Sequence, residues 1–239
     1  MGIVLLFDVD GTLTLPMKCI EPDMIQCLRR MKEKGYKLSV VGGSDYAKIS
    51  HQLTGALDLF DYICCENGLV TYSGGEIIES NSLLNEIGDA VYQDIINAIL
   101  LELSQIKIPI KRDKFIETRT SCINVSPIGR SCSYDERIEF YNYDKAHGIR
   151  VKLIISLLGI LEIHNMTAAI GGMISIDIYP KGWDKTYCLK FFSDEILFFG
   201  DRTEPGGNDH LIYIDKLVKG YSVTGPNHLI EILSSMKDI

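Results

Sequence analysis

Short apolar runs separated by helical spacings dominate the N-terminal part of the chain. The segments Ile3–Phe7, Leu38–Val41 and Tyr62–Cys65 are almost entirely apolar. Such runs are typical of strands that are buried on both faces of a parallel sheet. Between the first two runs, Pro22 suits the first turn of a helix and Gly35 suits its end. The pattern predicts alternating strands and helices.

The middle of the chain has a different pattern. Apolar residues recur at every fourth position and predict one long amphipathic helix from Leu84 onward, namely Ile87, Val91, Ile95, Ile99 and Leu103. Strands are predicted at Phe115–Arg119 and Cys122–Val125. Ser133 and Glu136 have the spacing of a capping box, which predicts the start of a helix. A further helix is predicted at about residues 149–161.

A hairpin is predicted next, with its tight turn at Gly171-Gly172. In its second strand three isoleucines share one face, whereas Ser175 and Asp177 share the other. Antiparallel strands with one polar face indicate an α+β module that is covered on one side only. The α/β pattern then resumes with a helix from about Asp184, a strand at Ile196–Phe199 and a helix from about Asn227.

The simplest fold is therefore an α/β protein with a Rossmann-like parallel-sheet core and an inserted α+β cap. We expect residues 1–80 and 182–239 to form the catalytic core. Residues 81–181 would form the cap, which we expect to bind substrate and to mediate dimerisation.

Composition narrows the class of protein. The chain has 239 residues, of which 46% are hydrophobic and 23% charged, with a formal net charge of −8. An acidic chain of this kind is not expected to bind nucleic acid or an acidic membrane. The seven cysteines are odd in number and lack C-x-x-C spacing, so free thiols are expected. The first apolar run is too short for a signal peptide or a membrane span, and we expect a cytosolic protein.

The segment Asp8-Val9-Asp10-Gly11-Thr12 carries the clearest chemistry. It follows a predicted buried strand, so it lies at the edge of the sheet where ligands bind. Two carboxylates this close repel each other unless a cation such as Mg²⁺ binds between them. Asp8 can act as the nucleophile and form a phospho-aspartate, while Asp10 transfers protons to and from a substrate hydroxyl.

Further motif residues occur in order, each beyond a predicted strand. Together with D-x-D-G-T-L-T, they resemble the motifs of the haloacid-dehalogenase-like phosphotransferases. The resemblance implies that Ser44 binds the phosphoryl oxygens, although its position also suits a helix cap. It implies that Lys185 stabilises the phospho-aspartate and that Asp201 joins Asp8 and Asp10 as a magnesium ligand. Asn208 and Asp209 lie just beyond.

Longer strings in both regions resemble the eukaryotic phosphomannomutases over almost the full length: FDVDGTLT, VVGGSD, ENGLV, NVSPIGRSCS, ERIEFY, GGMISIDIYPKGWDK and GDRTEPGGNDH. That family interconverts mannose 6-phosphate and mannose 1-phosphate and feeds GDP-mannose synthesis for glycosylation. The resemblance implies a cytosolic homodimer joined through the caps. It also implies a hexose phosphate substrate, Mg²⁺ and a hexose 1,6-bisphosphate activator.

The same resemblance places the sugar-phosphate site of the cap at Arg119, Arg130 and Arg137, beside Ser175 and Asp177. Arginines suit this role because their guanidinium groups donate two parallel hydrogen bonds to a phosphate.

Three points of the resemblance stay open. The core motifs are shared with sugar-phosphate phosphatases, which are the alternative function. A possible second cation site maps to Tyr213 and Asp215, near Val218. Where the family usually has a substrate-contacting arginine, this chain has Met17, followed by Lys18.

Overall fold

The computed structural model describes residues 2–237. These residues form two compact units. One unit, here called the core, joins the residues up to Ser80 with those from Gly182 onward; the other, the cap, is Asn81–Lys181. No helix within residues 2–237 has the length and apolar character needed to cross a bilayer.

The core is built from seven strands and four helices within its described residues, numbered in chain order through both units. They are β1 (Ile3–Phe7), α1 (Pro22–Glu33), β2 (Lys37–Val41), α2 (Tyr46–Gln52), β3 (Tyr62–Cys65), β4 (Val70–Ser73), β5 (Glu76–Ser80), β10 (Glu195–Gly200), α6 (His210–Tyr213), β11 (Val218–Ser222) and α7 (Pro226–Ser234). The predicted strands at Ile3–Phe7 and Tyr62–Cys65 are confirmed with the same bounds.

The core strands form one sheet in the order β11-β10-β1-β2-β3-β4-β5. In this order, each neighbouring pair between β11 and β3 is parallel. The pairs β3–β4 and β4–β5 are antiparallel. Phe7 is in register with Phe199 and with Val40, so β1, β10 and β2 end side by side. The residues that follow these strands therefore meet at one edge of the sheet.

Both faces of β1 are buried, which explains its continuous apolar sequence. Leu5 and Phe7 belong to a cluster with α1 and α7, whereas Val4 and Leu6 pack on the opposite face with residues such as Ile212 of α6. Successive side chains of a strand point to opposite faces, so each layer of helices covers alternate residues. This rigid sheet holds the residues at its carboxyl edge in place.

The cap combines three helices and four strands within its described residues. They are α3 (Leu83–Gln105), β6 (Ile116–Thr118), β7 (Ile123–Val125), α4 (Tyr134–His147), α5 (Ile149–Ile163), β8 (Met166–Gly171) and β9 (Ser175–Pro180). The strands form an antiparallel sheet in the order β6-β7-β9-β8, as the single polar face predicted. The predicted capping box of Ser133 and Glu136 opens α4.

Three element predictions need correction. The long helix from Leu84 is interrupted at Gly88, where φ is 72° and ψ is 163°. Glycine adopts such angles without a steric penalty, and the apolar spacing alone does not reveal the break. The segment after Asp184 is a 3₁₀ helix, Lys185–Phe191, rather than an α-helix. Asp45, not Ser44, caps α2, because its carboxylate accepts the N–H of Lys48 at 2.8 Å.

Two parts of the core sheet were not predicted. Gly74 and Gly75, at φ values of 58° and 85°, form the turn of the β4–β5 hairpin. Two consecutive positive φ angles are the signature of a type I′ hairpin turn, and the Gly-Gly pair was the available signal. β11 was missed because its sequence, Val218-Lys-Gly-Tyr-Ser222, has neither an apolar run nor regular alternation.

Candidate active site

Asp8 follows β1 at the carboxyl edge of the core sheet and is 4% exposed. Its Oδ1 accepts a hydrogen bond from the buried amino group of Lys185. Lys185 also donates to Oδ1 of Asp209 at 2.6 Å. The second oxygen of Asp8, Oδ2, is buried and has no hydrogen-bond partner among the described residues. A buried oxygen without a donor is costly unless a cation or a reacting group binds to it.

Asp201 and Asp209 complete an acidic cluster with Asp8. One carboxylate oxygen from each lies within 4.8 Å of the others, and this is the only such group of potential metal ligands found in residues 2–237. Burial raises the pKa of Asp8 to about 7 and that of Asp201 to about 6. Lys185 opposes both shifts, whereas Asp209 adds to both. These carboxylates therefore favour a bound cation.

The cluster fits a magnesium ion. All three residues offer carboxylate oxygens, which are the hard ligands that Mg²⁺ prefers. One carboxylate oxygen of each residue lies within 4.8 Å of the others, so the three can share one ion. Asp8, Asp201 and Asp209 are thus the side chains that would hold the ion.

Two glycines allow the carboxylates to approach the backbone. A Cβ atom on Gly11 would lie 2.3 Å from Oδ2 of Asp201, and Gly11 has a φ of 91°. A Cβ atom on Gly200 would lie 2.6 Å from Oδ2 of Asp209. Any side chain at either position would displace an acidic group of the cluster.

The side chain of Asp10 lies outside this cluster, and its predicted role as a magnesium ligand stays a prediction. The chain turns at Gly11, and the Asp10 carboxylate faces α2 instead. Its Oδ1 accepts hydrogen bonds from Gln52 Nε2 at 2.8 Å and from the N–H of Met17 at 2.9 Å. Its Oδ2 pairs with Lys48 Nζ at 2.5 Å. Burial raises the pKa of Asp10, but the hydrogen bonds from these donors outweigh it and hold the pKa below its usual value.

Ser44 lies just beyond β2, the neighbour of β1 in the sheet. Its backbone carbonyl accepts the N–H of Glu66 at 2.9 Å, which anchors this loop to the end of β3. Its hydroxyl oxygen accepts a hydrogen bond from Lys48 Nζ at 3.0 Å. Asp8, Asp10, Ser44 and Lys185 are thus brought to one edge of the core.

The three predicted cap arginines lie in one network on the polar face of the cap sheet. Arg119 Nε donates to Glu117 at 3.0 Å, and one of its terminal nitrogens lies 3.9 Å from Asp177. Arg130 donates to Asn124 Oδ1 at 2.7 Å. The side chain of Arg137 donates to the backbone carbonyl of Arg130 at 3.1 Å.

Glu117, Asn124 and Asp177 stand in register on three neighbouring strands, β6, β7 and β9. Asn124 donates to Asp177 at 2.6 Å and is 1% exposed. Sequence analysis did not assign Glu117 or Asn124 to the site. The available signal was the polar residue at the centre of each short strand. Asn124 lies between two apolar residues in β7, and Glu117 follows an apolar residue in β6.

Ser175 and Asp177 lie on β9, as the alternation predicted. The Ser175 hydroxyl donates to the carbonyl of Gly171 at 3.0 Å and so helps to close the β8–β9 turn. Arg150 donates to the carbonyls of Gly172 and Ser175 at 2.9 and 3.2 Å. Its buried guanidinium therefore sets the position of this turn.

The possible second cation site stays a prediction. Tyr213 ends α6, and one oxygen of Asp215 accepts the N–H of Leu217 at 2.8 Å. In residues 2–237, no group of three His, Cys, Asp or Glu side chains that could hold a metal ion includes Asp215.

The fold and the site define a class of protein. A parallel sheet with a buried aspartate, a lysine and an acidic cluster at its carboxyl edge is the arrangement of haloacid-dehalogenase-like proteins. The structure resembles Plasmodium falciparum IMP-nucleotidase bound to IMP, with a TM-score of 0.65, 16% identity and coverage of 98% of this chain and 68% of that one. It also resembles a haloacid dehalogenase-like hydrolase from Bacteroides thetaiotaomicron, with a TM-score of 0.57, 15% identity and coverage of 98% and 99%.

Sequence comparison defines the family. The model of the eukaryotic phosphomannomutase family matches residues 24–238. The chain is 45% identical over 238 residues to a phosphomannomutase of Triticum aestivum, covering 98% of this chain and 95% of that protein. It is 47% identical over 232 residues to a phosphomannomutase of Arabidopsis thaliana, covering 96% and 94%. The chain belongs to the eukaryotic phosphomannomutase family, which confirms the predicted family and fold class.

Proposed function

We propose that this phosphomannomutase-family enzyme interconverts mannose 6-phosphate and mannose 1-phosphate through a phospho-aspartate on Asp8. One observation carries the mechanism: Asp8 is buried at the carboxyl edge of the sheet, with Lys185 on one oxygen and no hydrogen-bond donor from the described chain on the other. That second oxygen is free to attack phosphorus. The product would supply GDP-mannose synthesis, in the cytosol, where the seven free cysteines would remain reduced.

The reaction has two balanced halves. Asp10 takes the proton of the free sugar hydroxyl, whose oxygen attacks the phosphorus of phospho-Asp8 as the bond between phosphorus and the aspartate oxygen breaks. The resulting hexose 1,6-bisphosphate then presents its other phosphate to Asp8. The carboxylate attacks that phosphorus, the bond to the sugar oxygen breaks, and Asp10 returns its proton to that oxygen. A trace of hexose bisphosphate would charge Asp8 in the first place.

The other residues of the site bind the substrate and orient its reacting groups. Lys185 keeps a positive charge beside Asp8, because Asp209 and Asp8 raise its pKa although burial opposes them. Ser44 donates a hydrogen bond to the transferred phosphoryl group. Bound Mg²⁺ would neutralise charge on the phosphoryl oxygens. In the cap, Arg119, Arg130 and Arg137 would bind the phosphate that is not being transferred, and Ser175 and Asp177 would contact the sugar.

A phosphorus NMR time course tests this function against a phosphatase. The sample contains mannose 1-phosphate, Mg²⁺ and a trace of hexose 1,6-bisphosphate. We expect mannose 6-phosphate to form much faster than inorganic phosphate, with a lag when the bisphosphate is left out. Phosphate release that equals or exceeds isomer formation, without any response to bisphosphate, would identify a sugar-phosphate phosphatase instead.

Replacing Asp201 or Asp209 by Asn is expected to weaken Mg²⁺ binding at least about tenfold, because each replacement removes a charged ligand. Replacing Asp10 by Asn is the matched control, since its carboxylate faces Lys48 and Gln52. Isothermal titration of the metal-free enzyme with Mg²⁺ measures all three affinities. If the Asp10 variant lost as much Mg²⁺ affinity as the other two, the carboxylate of Asp10 would be a magnesium ligand as well.

Arg137→Ala is expected to raise the KM for mannose 1-phosphate about 30-fold or more, the equivalent of about 2 kcal/mol. The reason is the loss of a charge-assisted bond to phosphate. Arg112→Ala is the control, because Arg112 is a cap arginine that pairs with Glu136. Steady-state kinetics and thermal melting are measured together. An unchanged KM with a lower melting temperature would make Arg137 a structural residue.

We also propose that the protein forms a homodimer through its cap. Val151, Ile155 and Leu158 lie on one face of α5, and Ile155 is 60% exposed. An apolar stripe of this kind is typical of an interface between copies. Ile155→Glu is expected to halve the mass measured by light scattering, whereas Lys152→Glu, elsewhere on the same helix, is not. A monomeric wild-type protein would contradict the dimer.

A further inference from the structure

Lys48 connects two side chains that the proposed reaction uses for different tasks. Its amino group donates to Oδ2 of Asp10 at 2.5 Å and to the hydroxyl oxygen of Ser44 at 3.0 Å. The side chain is 34% exposed, so the contact is at the partly open edge of the core. The proton-transfer group and the phosphoryl-binding group therefore share one cation.

The start of α2 determines where Lys48 lies. Asp45 caps the helix by accepting the N–H of Lys48, which fixes the first turn. Gln52 lies one turn further along the same helix face and donates to the other oxygen of Asp10 at 2.8 Å. One face of α2 thus supplies a separate donor for each oxygen of the Asp10 carboxylate.

The contact with Ser44 determines which way its hydroxyl proton points. A lysine ammonium group can only donate hydrogen bonds, so the Ser44 oxygen must accept this one. A serine hydroxyl has a single proton, which is then directed away from Lys48 and toward another acceptor. In the proposed reaction, that acceptor is an oxygen of the transferred phosphoryl group.

We propose that Lys48 is a positioning residue of phosphoryl transfer. It orients the Ser44 hydroxyl as a donor to the phosphoryl group, and together with Gln52 it holds the Asp10 carboxylate in place for proton transfer. This inference rests on the proposed function, in which Ser44 binds the transferred phosphoryl group and Asp10 moves the proton of the sugar hydroxyl. It assigns a role to a residue that the motif resemblance did not include.

Lys48→Met and Lys48→Arg test the role, with Lys32→Met as a matched control. Lys32 pairs with Asp61 at 3.0 Å, and its side chain is 33% exposed, so it resembles Lys48 in exposure and in its pairing with an aspartate, but lies away from the site. We expect Lys48→Met to lower kcat on the order of 100-fold, since small misplacements of reacting groups have effects of this size. KM should change less than about threefold. Lys48→Arg should recover most of the loss, and Lys32→Met should behave as the wild type.

Three results with the Lys48 variants would overturn the proposal. One is a kcat of Lys48→Met within about threefold of the wild type. Another is a rise in KM with kcat unchanged, which would make Lys48 a substrate-binding residue. The third is a lowered melting temperature that Lys48→Arg does not restore, which would make the residue structural. If Lys48→Met fails to fold, Lys48→Gln replaces it under the same criteria.

A single-turnover measurement separates this inference from the proposed function. The rate at which hexose bisphosphate phosphorylates Asp8 is followed by rapid quench in wild type and in the Lys48 variants. This step precedes the choice between sugar and water as acceptor, so a phosphatase would still show the effect of Lys48. If the Lys48 variants matched the wild type both in this step and in steady-state turnover, Lys48 would have no positioning role. The proposed mutase reaction would be unaffected by that result.

Discussion

Asp8→Asn is expected to fold as the wild type does and to lose mutase activity by more than about a thousandfold. An amide does not accept a phosphoryl group, so neither half of the reaction can begin. Mannose 6-phosphate formation measured with trace hexose bisphosphate gives the activity. Circular dichroism shows whether the fold is retained.

The stability of Asp8→Asn provides a second measurement. The folded state raises the pKa of Asp8 to about 7, so it disfavours the ionised carboxylate relative to the unfolded chain. This destabilisation develops as the pH rises through the ordinary pKa of an aspartate and is complete above about 7. Without Mg²⁺ at pH 8, the neutral amide should therefore melt no lower than the wild type. Activity within tenfold of the wild type would remove Asp8 as the nucleophile.

Arg150→Met is expected to lower the free energy of unfolding by about 3–5 kcal/mol, the size typical of breaking a buried ion pair. Arg150 and Asp144 are both buried, and their charged groups meet at 2.7 Å. Methionine fills similar volume but leaves the Asp144 charge in the interior with only the N–H of residue 150 at 2.8 Å. The carbonyls of Gly172 and Ser175 also lose the hydrogen bonds from Arg150.

Urea unfolding of the full-length protein measures this effect, with Lys152→Met as the control on the exposed side of α5. Because Arg150 supports the turn that precedes Ser175, the variant should also show a raised KM for mannose 1-phosphate at temperatures where it is folded. If the free energy of unfolding fell by less than about 1 kcal/mol, which is the range of a surface ion pair, the cap would have relaxed around Asp144.

The sequence predicted the core well because local patterns determine it. Ile3–Phe7 and Tyr62–Cys65 are apolar on both faces, and that composition is stable only inside a sheet covered by helices on both sides. The β4–β5 hairpin and β11 were missed for the opposite reason. The side chains of all three strands carry little pattern of their own, and β11 is held in the sheet by its non-local pairing with β10. The break at Gly88 is likewise invisible to a periodicity that continues across it.

The sequence by itself determined the class of fold, the family and the position of Asp8 at the end of β1, because an aspartate directly after a buried strand must lie at the edge of a parallel sheet. The tertiary structure decided which groups share that edge. Lys185 reaches Asp8 across 177 residues of chain, and Asp209 rather than Asp10 completes the acidic cluster. It also decided that Asp10 faces Lys48 on α2. Such contacts depend on how β1, β2 and β10 align and on the turn at Gly11, and no local spacing encodes that alignment.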